Sequence, residues 1–185
     1  MLEGRDGLPE ALKVLLAAYP RQGWSADPGF DGLVRFWMER HMMFRALSQR
    51  LGGLAQAHLA GEAEGPAAAA GIARAGNLFL GELHGHHTIE DRHYFPVLAA
   101  RDARIASGFA LLERDHEALD GHLARFAEAA NGALQALTGS ADARPATEAF
   151  HAEVLGLERL LERHLTDEED LVVPVILHYG PEGLG

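Results

Sequence analysis

The chain has 185 residues, with 27 acidic against 16 basic side chains and a formal net charge of −11. That length suits one domain with a sizeable core, and so acidic a surface argues against nucleic acid or an anionic membrane as a partner. The absence of cysteine removes disulfides, thiolate metal sites and cysteine nucleophiles together.

The N-terminal stretch MLEGRDGLPEALKVLLAAYP mixes acids and bases into its apolar positions, unlike a signal peptide. No apolar run approaches the length of a membrane span, so a cytoplasmic protein is expected. Leu12, Leu15, Leu16 and Tyr19 share one side of a short helix predicted over Pro9–Tyr19, with Pro9 suited to a first turn. PRQGWSADPG then breaks regularity. Long helices follow over about Phe30–Leu59 and Ala67–Tyr94, separated by the linker Ala60–Pro66. Within the second, Gly71 and Gly76 allow close packing or a bend. Asp102 offers an N-cap for a third helix reaching Leu137, and Thr138–Pro145 connects to a fourth over about Ala146–Val173. The expected fold is all-α: an antiparallel up-down four-helix bundle over 31–179, an N-terminal extension with a short helix over 1–30, and a tail over 180–185.

Eleven histidines are the unusual feature of the composition. Two stretches, HHTIEDRHYFPVL from His86 and HLTDEEDLVVPVI from His164, begin 78 residues apart. Each carries His-x-x-x-Glu, and each meets a proline, Pro96 or Pro174, at the same offset. At 100° per residue, His86, Glu90 and His93 lie within about 60° of one another among Phe79, Leu83 and Val97. His164 and Glu168 share the apolar stripe of Phe150, Leu157, Leu161 and Leu171. His41 lies on the first helix with Val34 and Trp37, and His116 on the third with Phe109, Leu112, Asp120 and Leu123. His41 to His86 spans 45 residues and His116 to His164 spans 48, so each half reads as a helical hairpin with a matching histidine pair.

Lone polar groups in an apolar stripe are costly unless paired, and here His41, His86, Glu90, His116, His164 and Glu168 aim at one interior. Nitrogen and hard oxygen donors without sulfur suit iron or manganese and admit zinc. Two carboxylates can bridge two metals while the imidazoles take outer positions. Pro96 and Pro174 each delete a helical hydrogen bond and are expected to bend or end their helices beyond the ligands.

Taken singly, a histidine is more often exposed or hydrogen-bonded than a ligand. That reading is preferred for His84, His87, His122, His151 and His178, with His87 and Asp91 forming an i,i+4 surface pair. His58 is retained only as an outer partner of a ligand. Asp167, Glu169 and Asp170 read as a solvated acidic face, with Glu169 also weighed as a ligand in place of Glu168. Trp37, Met42, Met43 and Phe44 read as core packing. His93 and Asp120 divide evenly between ligand, ligand support and buried hydrogen-bonding residue.

On these motifs the chain resembles the hemerythrin family, in its bacterial His-His-Glu branch, over about Gly32–Tyr179. The resemblance implies a carboxylate-bridged pair of irons on His41, His86, Glu90, His116, His164 and Glu168, with Glu90 and Glu168 as the bridges. The family's oxygen carriers have a second histidine on the third helix where this chain has Asp120, so a replacement falls to Asp120 or His93. The carriers' fourth helix steps five residues from histidine to aspartate; this chain offers Glu168 and Glu169, and helix geometry favours Glu168. The resemblance implies a protein that binds or senses O2, NO, peroxide or iron. An enzyme acting on peroxide, NO or ferrous iron is the alternative, and a metal-free interaction bundle the remote one. An unknown protein partner or a homo-oligomer stays open.

Overall fold

Periodic leucine and alanine, with few β-branched runs, favour helix along this chain. The computed structural model describes residues 2–30, 32–140 and 142–184. The expected domain boundary at Asp31, and Ala141 in the last connector, lie outside them. The α-helices are α1 (Val14–Ala18), α2 (Leu33–Leu59), α3 (Gly65–Ile89), α4 (Phe95–Ala99), α5 (Ala106–Thr138) and α6 (Arg144–Tyr179). No strand occurs among the described residues.

The N-terminal helix is shorter than expected. Residues Glu10–Leu12 form a 3-10 turn before α1, and Tyr19, which precedes Pro20, has left the helical region with ψ of 71°. Further 3-10 turns occupy Arg21–Ala26 and Pro28–Phe30. Gly61, at φ +76°, ends α2 in the left-handed conformation that its missing Cβ permits. Asp102 accepts the backbone N–H of Arg104 at 2.9 Å, so it shapes the turn before α5 rather than its first helical turn.

The two prolines behave differently. Pro174 sits inside α6, which continues to Tyr179 without a break. Buried Val172, Val173, Val175 and Ile176 surround it, and their packing offsets the one missing hydrogen bond. Before Pro96, by contrast, residues Glu90–Tyr94 form a π turn in which the Phe95 N–H reaches the Glu90 carbonyl. Pro96 has no N–H to give to Arg92, and a turn with one extra residue accommodates that loss. The buried positions step from Glu90 to Phe95, five residues rather than three or four.

The chain divides into two units. One comprises Met1–Met42, Gly85–Ala118 and Glu162–Gly185; the other comprises Met43–His84 and Leu119–Leu161. The first has an apolar core of Leu8, Leu12, Leu15, Trp24, Val34, Trp37, Phe95, Phe109, Leu112 and the α6 valines. The N-terminal extension thus contributes leucines and a tryptophan to it. The second unit is centred on Phe79, Phe126 and Phe150, whose successive ring centroids lie 5.8 and 5.6 Å apart. There Gly65 lies so close to α5 that a Cβ would sit 2.5 Å from the Leu137 carbonyl oxygen. Met42, expected in a core, is 66% exposed.

Candidate metal centre

All the buried histidines fall in the first unit. The donor atoms of His41, His86, Glu90 and Glu168 lie within 4.8 Å of one another, and so do those of a second group, His87, His116 and His164. In the first group the Nε2 atoms of His41 and His86 face each other at 3.1 Å. In the second, the rings of His87 and His116 stack with centroids 3.9 Å apart, and His164 stands edge-on to His116.

Each glutamate reaches both groups. Glu90 places Oε1 2.9 Å from His86 Nε2, on its own helical face, and Oε2 3.7 Å from His116 Nε2. Glu168 places Oε2 3.4 Å from His164 Nε2, again one turn along its own helix, and Oε1 3.4 Å from His41 Nε2. In both His-x-x-x-Glu motifs, one oxygen therefore serves the motif's own histidine and the other crosses to a histidine of the opposite group. Trp37 Nε1 donates a hydrogen bond to Glu168 Oε1, so this ring does more than fill space.

Carboxylates set the tautomers from behind. His41 Nδ1 lies 3.0 Å from Glu169 Oε1, and His116 Nδ1 lies 2.8 Å from Asp91 Oδ1. An ionised carboxylate only accepts, so each imidazole donates from Nδ1 and keeps its Nε2 lone pair for the centre. Asp115 stands behind His164 Nδ1 at 3.9 Å, an electrostatic contact too long for a hydrogen bond.

Burial holds the His86 imidazole down to about 3, with the neighbouring imidazoles adding to it and Glu168 opposing it. Burial likewise pushes His87 well below the usual histidine range, and His164 down against the pull of Asp115. His41 goes the other way: the charges of Glu168 and Glu169 outweigh the cost of its burial. Burial, then the charge of Glu168, raises the Glu90 carboxyl far above the carboxylate range. Burial also pushes on Glu168, but His41, His86 and His164 together hold it well below that range. The close pair of carboxylates thus favours one proton between them.

These residues fit a cation. His87 Nε2, both oxygens of Glu90, His116 Nε2, both nitrogens of His164 and Glu168 Oε2 are buried without a hydrogen-bond partner. The His86–Glu90 contact is short but not aligned as a hydrogen bond. Buried polar groups are rarely left unpaired, and here they converge with nitrogen and oxygen donors that a divalent metal accepts.

The structure brings His41, His86, Glu90, His116, His164 and Glu168 together. His93 and Asp120 are both exposed and join neither group. The π turn rotates His93 off the face it would occupy on an ideal helix. On α5 the buried positions Leu112, Asp115, Leu119 and Leu123 centre the inward face to one side of His116, away from Asp120. His58 bonds the Ala63 carbonyl at the end of α2 and belongs to the other unit.

Two expectations are corrected. His87 is buried with the donors instead of pairing with Asp91 on the surface. Taking Leu83 and Glu90 as the centre of the α3 stripe, His86 and His87 straddle it at about −60° and +40°; centring on His86 hides this. Asp167 and Glu169 are buried, so TDEED is not a solvated face. Arg5 and Arg163 pair with Asp167, Arg5 also with Asp115, and Arg21 with Glu169 and Asp170. Arg163 is a local i,i+4 partner of Asp167, but Arg5 lies 162 residues from Asp167 and Arg21 148 from Glu169, beyond the reach of any local pattern.

A duplicated His-x-x-x-Glu pair inside an all-α core defines a metal-binding helical bundle. A family model for the hemerythrin HHE cation-binding domain matches residues 32–176, and the chain belongs to that family. No curated protein and no solved structure matches it. No helix among the described residues is long and apolar enough to cross a membrane.

Proposed function

We propose that the protein is a non-haem di-iron protein that binds or senses a small molecule, O2, NO or peroxide. The observation that carries this reading is the placement of the two glutamates, each with one oxygen toward each histidine group. On this reading His41 and His86 would hold one iron and His87, His116 and His164 the other, with Glu90 and Glu168 placed to serve both. His87 supplies the fifth imidazole, the role for which His93 and Asp120 were candidates. An iron pair held by imidazole and carboxylate supplies redox-active coordination to a small ligand.

The protein's own residues set the conditions for that chemistry. Asp91 and Glu169 orient the rings of His116 and His41. Trp37 fixes one Glu168 oxygen and covers His86 with an edge-on ring at 5.9 Å. Near-complete burial of all seven side chains excludes bulk water and any large substrate. Metal analysis of iron-grown protein is expected to find an iron pair per chain. Anaerobic ferrous protein is then titrated with O2, NO and peroxide, and one stoichiometric, reversible spectral change is expected. Inertness to all three overturns the ligand assignment, and repeated turnover makes the protein an enzyme.

A further inference from the structure

The N-terminal extension lies outside the family match, yet two of its arginines reach the carboxylates behind metal-facing imidazoles. Arg21 donates from Nη1 to Glu169 Oε2 at 2.8 Å, from Nε to Asp170 Oδ1 at 2.6 Å, and from Nη2 to the Thr166 carbonyl at 2.9 Å. Its guanidinium also sits 4.9 Å from the centroid of the Trp24 ring, and Trp24 Nε1 is tied to the Tyr19 carbonyl at 2.7 Å. Glu169 therefore divides its oxygens: Oε2 takes the guanidinium and Oε1 faces His41 Nδ1. Arg5 pairs with Asp115 and Asp167, but Asp115 lies 3.9 Å from His164 Nδ1 and makes no hydrogen bond to it.

We propose that the extension is a working part of the metal centre: Arg21 positions His41 through Glu169. This rests on the reading of His41 as a ligand. A carboxylate as buried as Glu169 requires a compensating charge. Arg21 binds Glu169 Oε2 and leaves Oε1 aimed at His41 Nδ1. The imidazole is thereby locked with Nε2 toward Glu168 and His86. A purely mechanical anchor needs neither arginine, because Leu8, Leu12, Leu15 and Trp24 already bury the extension in the core. For the same reason a neutral residue at position 21 leaves the segment docked.

Cobalt(II) tests the proposal, because its visible spectrum reports ligand geometry. Metal-free full-length protein is titrated with cobalt(II) against a competing chelator, as wild type, R21Q, E169Q, R21Q/E169Q and R21K. R21Q and E169Q are each expected to weaken cobalt binding by about 10- to 100-fold and to alter its absorption bands. The double variant is expected to be no weaker than E169Q alone, because both changes break one relay. R21K, which keeps the charge but not the fork, is expected to recover part of the loss. Wild-type affinity and spectrum in R21Q overturn the proposal, and so do losses that multiply in the double variant. If R21Q does not fold, E169Q and R21K decide: wild-type cobalt binding in both overturns it. A wild type that takes up no cobalt fails earlier and overturns the metal-centre reading itself.

Discussion

The two units bury their interiors by opposite means. In Met43–His84 and Leu119–Leu161 the centre is Phe79, Phe126 and Phe150 among alanines and leucines, a packing complete in itself. In the other unit an apolar core of leucines, valines and aromatics adjoins a nest of five imidazoles and two carboxylates. Seven donor atoms in that nest lack a hydrogen-bond partner. Apolar contact satisfies the first interior without any addition, whereas the second is incomplete until a cation takes those lone pairs. The difference shows which part of the molecule trades stability for a site.

The largest expected effect comes from removing the metal. Binding free energy at a structural metal site is folding free energy, on the order of 10 kcal/mol for tightly held ions. Chelation is therefore expected to raise amide exchange strongly in α4 and in the ligand-bearing parts of α2, α3, α5 and α6, with little change around Phe79, Phe126 and Phe150. Hydrogen-exchange mass spectrometry with and without chelator measures this. Equal loosening of both units would erase the contrast. The reverse perturbation is Phe126→Ala, which is expected to cost about 3–5 kcal/mol in denaturant unfolding while metal content stays at the wild-type level. A loss of metal in that variant would mean that the aromatic packing also holds the site.

Acid sharpens the same contrast in the metal-free protein. Burial holds His86, His87 and His164 below their ordinary values, His86 to about 3. As pH falls below about 6.5, the unfolded chain takes up protons on these residues that the folded chain refuses, so stability is lost. Glu90 opposes this: its raised value lets the folded state hold a proton above the ordinary carboxylate range. His41, also raised, acts in the same direction as Glu90, and the three lowered imidazoles outweigh the two. Denaturant melts from pH 6.5 down to pH 5 are expected to lose about 1.4 kcal/mol per pH unit for each net proton. Flat stability over that window would place charged imidazoles in the fold.

The all-α fold, the paired motifs and the six side chains that the structure brings together are visible in the sequence, because they depend on periodicity within single helices. What escapes depends on register or on distance. His87 is hidden by choosing the wrong centre for the α3 stripe, an error of well under one turn. Asp167 and Glu169 read as solvated because Arg5 and Arg21, which compensate them, belong to an extension with no periodic link to α6. Pro96 and Pro174 occupy equivalent places in the two motifs, yet one accompanies a π turn and the other rides inside a straight run of buried valines. Sequence marks where a helical hydrogen bond is missing; the surrounding packing decides how the backbone absorbs it.

His93 supplies the smallest and most discriminating effect. On an ideal helix it shares the face of His86 and Glu90, and only the π turn at Glu90–Tyr94 carries it outward to an exposed position. His93→Ala is therefore expected to leave metal content unchanged and stability within about 0.5 kcal/mol of wild type, as for an ordinary surface change. His87→Ala is expected to deplete the metal held with His116 and His164, although spacing alone favours His93 over His87. Metal analysis of the two variants side by side settles the register of this helix. Loss of metal in His93→Ala with retention in His87→Ala would restore the ideal-helix register and remove the fifth imidazole from the centre.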